Sequence, residues 1–136
     1  MATLEQIRLG LATNLEAIGD MQQVSPYALP QPTPPSIEII VGEILYHQAM
    51  VDGLVQVTMI VRAYVGLALN VPAQQRLDRF LAPSGDESVK AAIEADLTLG
   101  GVVDDVTVVS ASGHIVFVRE SQPAMLGAEW TVTVLD

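Results

Sequence analysis

Residues 88 to 113 read "SVKAAIEADLTLGGVVDDVTVVSASG", and the fold turns on how this stretch divides. Val89, Ala92, Ile93 and Ala95 recur at helical spacing, which predicts a helix opened by Ser84 or Asp86 and running to about Asp96. Gly100-Gly101 then starts a β region with a strand over Val102 to Ser110. Ser112-Gly113 reads as a turn leading into a further strand from Ile115 to Glu120. A short helix feeding valine-rich strands points to helices packed on a sheet.

The segments on either side extend the pattern. From Leu126 to Leu135, Ala128, Trp130, Val132 and Val134 alternate with Glu129, Thr131 and Thr133, the mark of a half-buried strand with Trp130 in the core. Upstream, Asn70 caps a helix with Pro72 in its first turn and Leu77, Phe80 and Leu81 facing inward, and Pro83 and Gly85 stop it. A long strand from Leu54 to about Gly66 carries Val55, Val57, Met59, Val61, Ala63 and Val65 on one face. Its other face mixes Gln56, Thr58, Arg62 and Tyr64 with Leu54 and Ile60, as expected where a partner or a helix covers it. "SIEIIVGEI" at 36–44 is a shorter strand, joined to the long one through an Asp52-Gly53 turn signal.

At the start, Leu4, Ile7, Leu11, Leu15 and Ile18 make an amphipathic helix over 4–18. Thr3 and Gln6 form its capping box and Gly19 its stop. Five prolines between residues 24 and 35 rule out a helix or a central strand there and predict an extended surface connector. The order is helix, two strands, two helices, three strands. The chain reads as one α+β domain over residues 1–136, with a mainly antiparallel or mixed sheet of about five strands flanked by about three helices.

Composition narrows the function. Half of the residues are hydrophobic but only 4% are aromatic, and the mean hydropathy is +0.41. Aliphatic side chains therefore build the core, and the excess points to subunit contacts. The longest apolar run, "LVQVTMIVRAYVGLALNV", is broken by Gln56, Thr58, Arg62 and Asn70 and alternates as a strand, so no transmembrane helix is expected. "MATLEQIRLG" lacks the basic and apolar regions of a secretory signal, which makes the cytoplasm the default expectation. With no cysteine, disulfide and thiolate chemistry are excluded. The net charge is −10, with one lysine, Lys90, and five arginines, too few cations to grip phosphates. A repelling wall past which DNA slides is compatible with that charge.

No chemical constellation stands out. Asp104 and Asp105 are neighbours at a strand start, and adjacent strand positions face opposite ways, whereas paired catalytic carboxylates must converge on one bond. Glu43 and His47 are four apart but lack a second histidine or an HExxH pattern. His114 lies near Ser110, Ser112 and Asp104 in sequence, the ingredients of a nucleophilic triad, yet "VSASGH" reads as a turn and not as a strained nucleophile elbow. Gly100-Gly101 is no phosphate-binding loop. Neither a cofactor nor a metal is expected. Arg62 and Arg119 each sit on an otherwise apolar strand, either as snorkelling edge residues or as partners for a carboxylate of a neighbouring subunit.

"RLDRFLAPSGDESVKAAIEADLTLGGVVDDVTVVSASG", followed by "LGAEWTVTVLD", resembles the tail-terminator family of long, non-contractile-tailed bacteriophages. The likeness is closest over residues 74 to 113 and 126 to 135. It rests on two helices separated by "PSG", on "AIEADLTLGG" leading into a strand, and on a closing "GAEWTVTV". The resemblance implies a virion structural protein without catalytic residues. It implies a homo-oligomeric ring, usually of six subunits, made in the host cytoplasm and placed at the head-tail joint. Such a ring caps the finished tail tube, meets the tail tube protein and the head-tail connector protein, and surrounds the channel through which DNA leaves. Six copies at −10 each would put about −60 around that channel. Asp86, Glu87, Asp104, Asp105, Arg62 and Arg119 are the candidate subunit-interface or channel residues. The alternatives are another neck or head-completion component, a tail-assembly chaperone, or a small hydrolase using His114 and a nearby serine.

Overall fold

The computed structural model describes residues 2–46, 55–119 and 122–136. Its elements are α1 (Leu4–Leu15), β1 (Gln23–Ser25), β2 (Ser36–Tyr46), β3 (Val55–Leu67), α2 (Val71–Leu81), α3 (Val89–Glu94), β4 (Asp105–Phe117) and β5 (Met125–Leu135). The five strands form one mixed sheet in the order β1-β2-β3-β5-β4. Only β1 and β2 run parallel; every other neighbouring pair is antiparallel. The α+β class and a five-stranded sheet with three helices are as the sequence implies.

Alternation sets which face is covered. The odd positions of β3 from Val55 to Val65 are buried together with Ala128, Trp130, Val132 and Val134 of β5. Ile7, Leu11 and Leu15 of α1, Leu77 and Phe80 of α2, and Val89 and Ile93 of α3 join the same cluster. All three helices thus close one face of the sheet, where apolar area is withdrawn from water. The capping box at Thr3 and Gln6 is present, and the Asn70 side chain accepts the Ala73 N–H at the start of α2.

Several boundaries differ from the sequence reading. Helix α1 ends at Leu15, and residues 16–20 form turns, with Asp20 rather than Gly19 at positive φ. Helix α3 is capped by Ser88, not by Ser84 or Asp86. The Ser88 hydroxyl accepts the Ala91 N–H and donates to the Ala82 carbonyl, tying α3 to the end of α2. Part of the proline-rich connector is a strand, because Gln23–Ser25 finds the exposed edge of β2 at Ser36–Glu38.

Ser112-Gly113 is not a turn. Strand β4 runs unbroken from Asp105, opposite Leu135, to Phe117, opposite Met125, and bulges after Val108 and Ser112 absorb its extra residues. Strand β5 is long enough to hold β4 in register past the serines, which removes any need to reverse. Gly113 serves a close approach instead: a Cβ there would lie 2.6 Å from Leu81 Cδ1 of α2. The segments read as two strands, Val102 to Ser110 and Ile115 to Glu120, are therefore one, beginning at Asp105. The Asp52-Gly53 turn lies outside the described residues.

Candidate functional site

The uncovered face of the sheet collects the polar residues that the sequence scatters. Pairing places Glu38 of β2 opposite Arg62 of β3, and Arg62 opposite Glu129 of β5. Three adjacent strands thus present a carboxylate, a guanidinium and a carboxylate in a row. Arg62 lies 3.6 Å from Glu38 Oε1 and 3.2 Å from Glu129 Oε1. Tyr64 stands two residues along β3 on the same face, and its hydroxyl donates to Glu38 Oε1.

Glu38 is fully buried, and a buried charge is tolerable only when paired and hydrogen-bonded. A second guanidinium answers that need. Arg119 reaches 3.3 Å from Glu38 Oε1 and donates to the Tyr64 hydroxyl at 2.9 Å. Its other nitrogen donates to the Leu29 carbonyl at 2.8 Å and the Pro30 carbonyl at 3.1 Å, while the Leu29 N–H donates to Glu38 Oε2 at 2.8 Å. The proline-rich connector is strapped across one end of the open face by this knot.

Aromatic packing completes it. Phe117 meets Tyr64 edge-on at 5.1 Å between ring centroids, and the Arg62 guanidinium lies 4.9 Å from the Phe117 ring centroid. Gly127 makes the seat for that ring, since a Cβ there would approach Phe117 Cε2 to 2.9 Å and the Ala63 carbonyl to 2.1 Å. Burial and the hydrogen bond to Glu38 push the Tyr64 phenol up, which keeps it protonated as the donor the knot requires. Burial acts to lower the Arg62 pKa, but the Tyr64 hydroxyl and the Glu129 carboxylate outweigh it and the net direction is up.

Arg62 and Arg119 are therefore engaged within their own chain. The partner of both is Glu38, which sequence reasoning passed over inside an apolar run. A lone carboxylate in a buried strand is itself a signal that a cation must come to it. Glu87 is also held internally, by Arg79 at 2.5 Å and Arg76 at 3.4 Å. Asp86 is exposed beside it, and together with Asp20 they line an acidic cleft between the end of α1 and the start of α3. Asp104 is exposed just ahead of β4, and Asp105 opens that strand with the Thr107 hydroxyl 3.4 Å from its carboxylate. The six candidate residues do not gather at one point.

The triad ingredients do not assemble either. His114 sits at positive φ in the second β4 bulge, and its Nε2 is 2.8 Å from Asp78 of α2. Asp104 lies at the far end of the strand, roughly 30 Å away for ten residues at about 3.3 Å each. Glu43 lies in β2, not on a helix, and His47 lies outside the described residues. Among the described residues no group of three metal-ligating side chains is found, and no helix is long and apolar enough to cross a membrane.

All six side-chain cations lie in described parts of the chain, and each is bound within it. Arg8 donates to the carbonyls of Pro26 and Ile39, and Arg76 to that of Gly19. Lys90 pairs with Glu94 one turn along α3. Arg62, Arg79 and Arg119 are held as described above. The carboxylates outnumber them sixteen to six, so the chain is strongly acidic and each cation has a partner within it.

No family model matches the chain, and no curated protein matches its sequence.

Proposed function

We propose that this protein is a virion structural component, a tail terminator at the head-tail joint. In this role it works as a ring, most simply of six copies, on the end of a completed tail tube. It ends polymerisation and offers its opposite side to the head connector. The work is steric, and no residue acts as a catalyst.

The observation that carries this reading is the state of the charges. A surface of net charge −10 whose six cations are each paired or hydrogen-bonded within their own chain offers phosphate little attraction. DNA can pass such a surface without sticking. The sheet adds to this: its helices cover one face only, leaving a broad, half-buried face for subunit or channel contacts. The sequence resemblance over residues 74 to 113 and 126 to 135 supplies the particular role.

The test is negative-stain microscopy of lysates from phage lacking the protein, with and without purified protein added back. Tails of uncontrolled length that fail to join heads, corrected by the added protein, are the expected result. Normal-length tails joined to heads in its absence would overturn the proposal.

A further inference from the structure

The sheet ends in two edges that its own strands leave open. Strand β4 is paired with β5 on one side only. On its other side the Val108 N–H donates to Glu94 Oε2 at 3.0 Å. From Val109 to Phe117 the described residues provide no further backbone partner there. Residues 109 to 114 are exposed, and Val109, Val116 and Val118 are 61%, 50% and 77% exposed. At the opposite edge β1 covers β2 only at Ser36–Glu38, and Arg8 takes the Ile39 carbonyl. From Ile40 to Tyr46 the outer side of β2 is open among the described residues.

Open edges invite pairing, and proteins that must avoid it blunt them with lysine, proline, charge or bulges. Strand β4 has no such side chain of its own: residues 106 to 118 contain no Asp, Glu, Lys or Pro. Its bulges after Val108 and Ser112 bend the edge, and Asp78 stands beside His114, so the straight run from Val109 to Ser112 is its most open part. The segment 39–46 of β2 contains one acid, Glu43. Two copies of a −10 chain repel, and along these two edges the acids are Glu43 on β2 and Asp78 beside His114 on β4.

Direction matches as well. Since β2, β3, β5 and β4 alternate in direction, β2 and β4 run opposite ways. Rotation about an axis along the strands preserves direction, so a neighbouring copy brings its β2 antiparallel to this copy's β4.

We infer that the outer edge of β4, from Val109 to Phe117, pairs antiparallel with the outer edge of β2, from Ile40 to Tyr46, on a second copy of this chain. The contact is head-to-tail, leaves one edge of each kind free in any open chain of copies, and is satisfied throughout only when a ring closes. Closure rests on the ring proposed above, whereas the pairing of two copies does not need it.

The chain has no cysteine, so introduced thiols report alone. Ser110 and Glu43 are exposed and fall on the same open face, opposite Thr131 and Thr58 respectively. Purified Ser110→Cys and Glu43→Cys proteins are treated with a short bismaleimide at high protein concentration, separately and mixed. The expected result is a crosslinked dimer only in the mixture, and a ladder of multimers from the double variant. Val109→Lys in the double variant abolishes the ladder while its thermal unfolding midpoint is unchanged.

Crosslinking of Ser110→Cys with itself indicates two-fold β4–β4 pairing and overturns the inference. So does a mixture without crosslinks, or a ladder that survives Val109→Lys. The tail-capping assay separates the two proposals. A Val109→Lys protein that caps tails as well as wild type sinks the edge pairing and leaves the terminator reading standing. Failure of the wild-type protein to cap removes the terminator reading, and the crosslinks alone then decide the pairing.

Discussion

The two faces of the sheet are held by different physics. The helix-covered face is aliphatic apart from Trp130 and Phe80, with Val61, Met59, Val132 and Leu77 all fully buried around them. Contacts there are non-directional and shared among many neighbours, so each side chain contributes through area and volume. The open face at its strapped end depends on a few directional contacts: Glu38, Tyr64, Arg62, Arg119 and the Leu29 peptide. Removing one member there leaves others buried without a partner, a different kind of loss from a cavity.

That contrast can be broken at its strongest point first. Trp130→Ala on the covered face should cost about 3–5 kcal/mol, read as a lower urea midpoint at unchanged slope. A loss below about 1 kcal/mol would show that the covered face is not the principal core. Next, Glu38→Ala should cost about 1–3 kcal/mol, because the buried Tyr64 hydroxyl and the Leu29 N–H lose their acceptor while Arg62 keeps Glu129 and Arg119 keeps the Leu29 and Pro30 carbonyls. Glu38→Gln should cost less, because an amide oxygen still accepts from Tyr64 or Leu29. A double-mutant cycle with Arg119→Ala should show coupling of roughly 1 kcal/mol or more. Additive losses would mean that the strap is not held by this pair. Hydrogen exchange at the Leu29 amide should also quicken in Glu38→Ala.

Gly127→Ala tests the seat under Phe117. The added methyl meets backbone on one side and a ring on the other, and the expected loss is about 1–3 kcal/mol, measured by thermal or urea unfolding. A neutral result would place the Phe117 ring elsewhere.

The smallest effect concerns pH and an exposed rim. The hydrogen bond from Lys90, then that from the Val108 backbone, holds the Glu94 carboxyl below its usual range despite opposing burial. A carboxylate depressed in the folded state adds stability that is present above its unfolded pKa and lost as pH falls through the folded one. Glu94→Gln should therefore flatten part of the stability decline on acidification below about pH 4.5, compared at pH 7 and pH 3 by urea unfolding. An unchanged decline would assign it to other carboxylates, among them Asp96, which the N–H groups of Thr98 and Gly100 also hold low.

Much of the covered face was legible because its signals are local. The alternation in β3 and β5 belongs to each strand alone, and the capping box at Thr3 and the Asn70 cap involve residues three apart. The errors fall where a distant segment decides. Ser84, Asp86 and Ser88 are all plausible caps by type, and Ser88 prevails because the Ala82 carbonyl lies within its reach. Gln23–Ser25 is a strand only because β2 offers an edge there. Ser112-Gly113 has turn chemistry, yet β5 holds it straight. The candidate residues show the same division. Asp105 opens a strand, as its setting implied, but the carboxylate shared by Arg62 and Arg119 was invisible, since Arg119 and Glu38 are 81 residues apart.

By itself, then, the sequence determined the α+β class, the apolar face of each long strand, the caps of α1 and α2, and an acidic chain poor in cations. Periodicity, capping and charge are properties of one segment or of a sum, and they need no knowledge of neighbours. The tertiary structure alone decided that every cation would find a partner within the chain, that the proline-rich connector would be strapped to a buried glutamate, and which sheet edges are left unpaired among the described residues. Pairing is a property of two distant segments brought together by the burial of the apolar face.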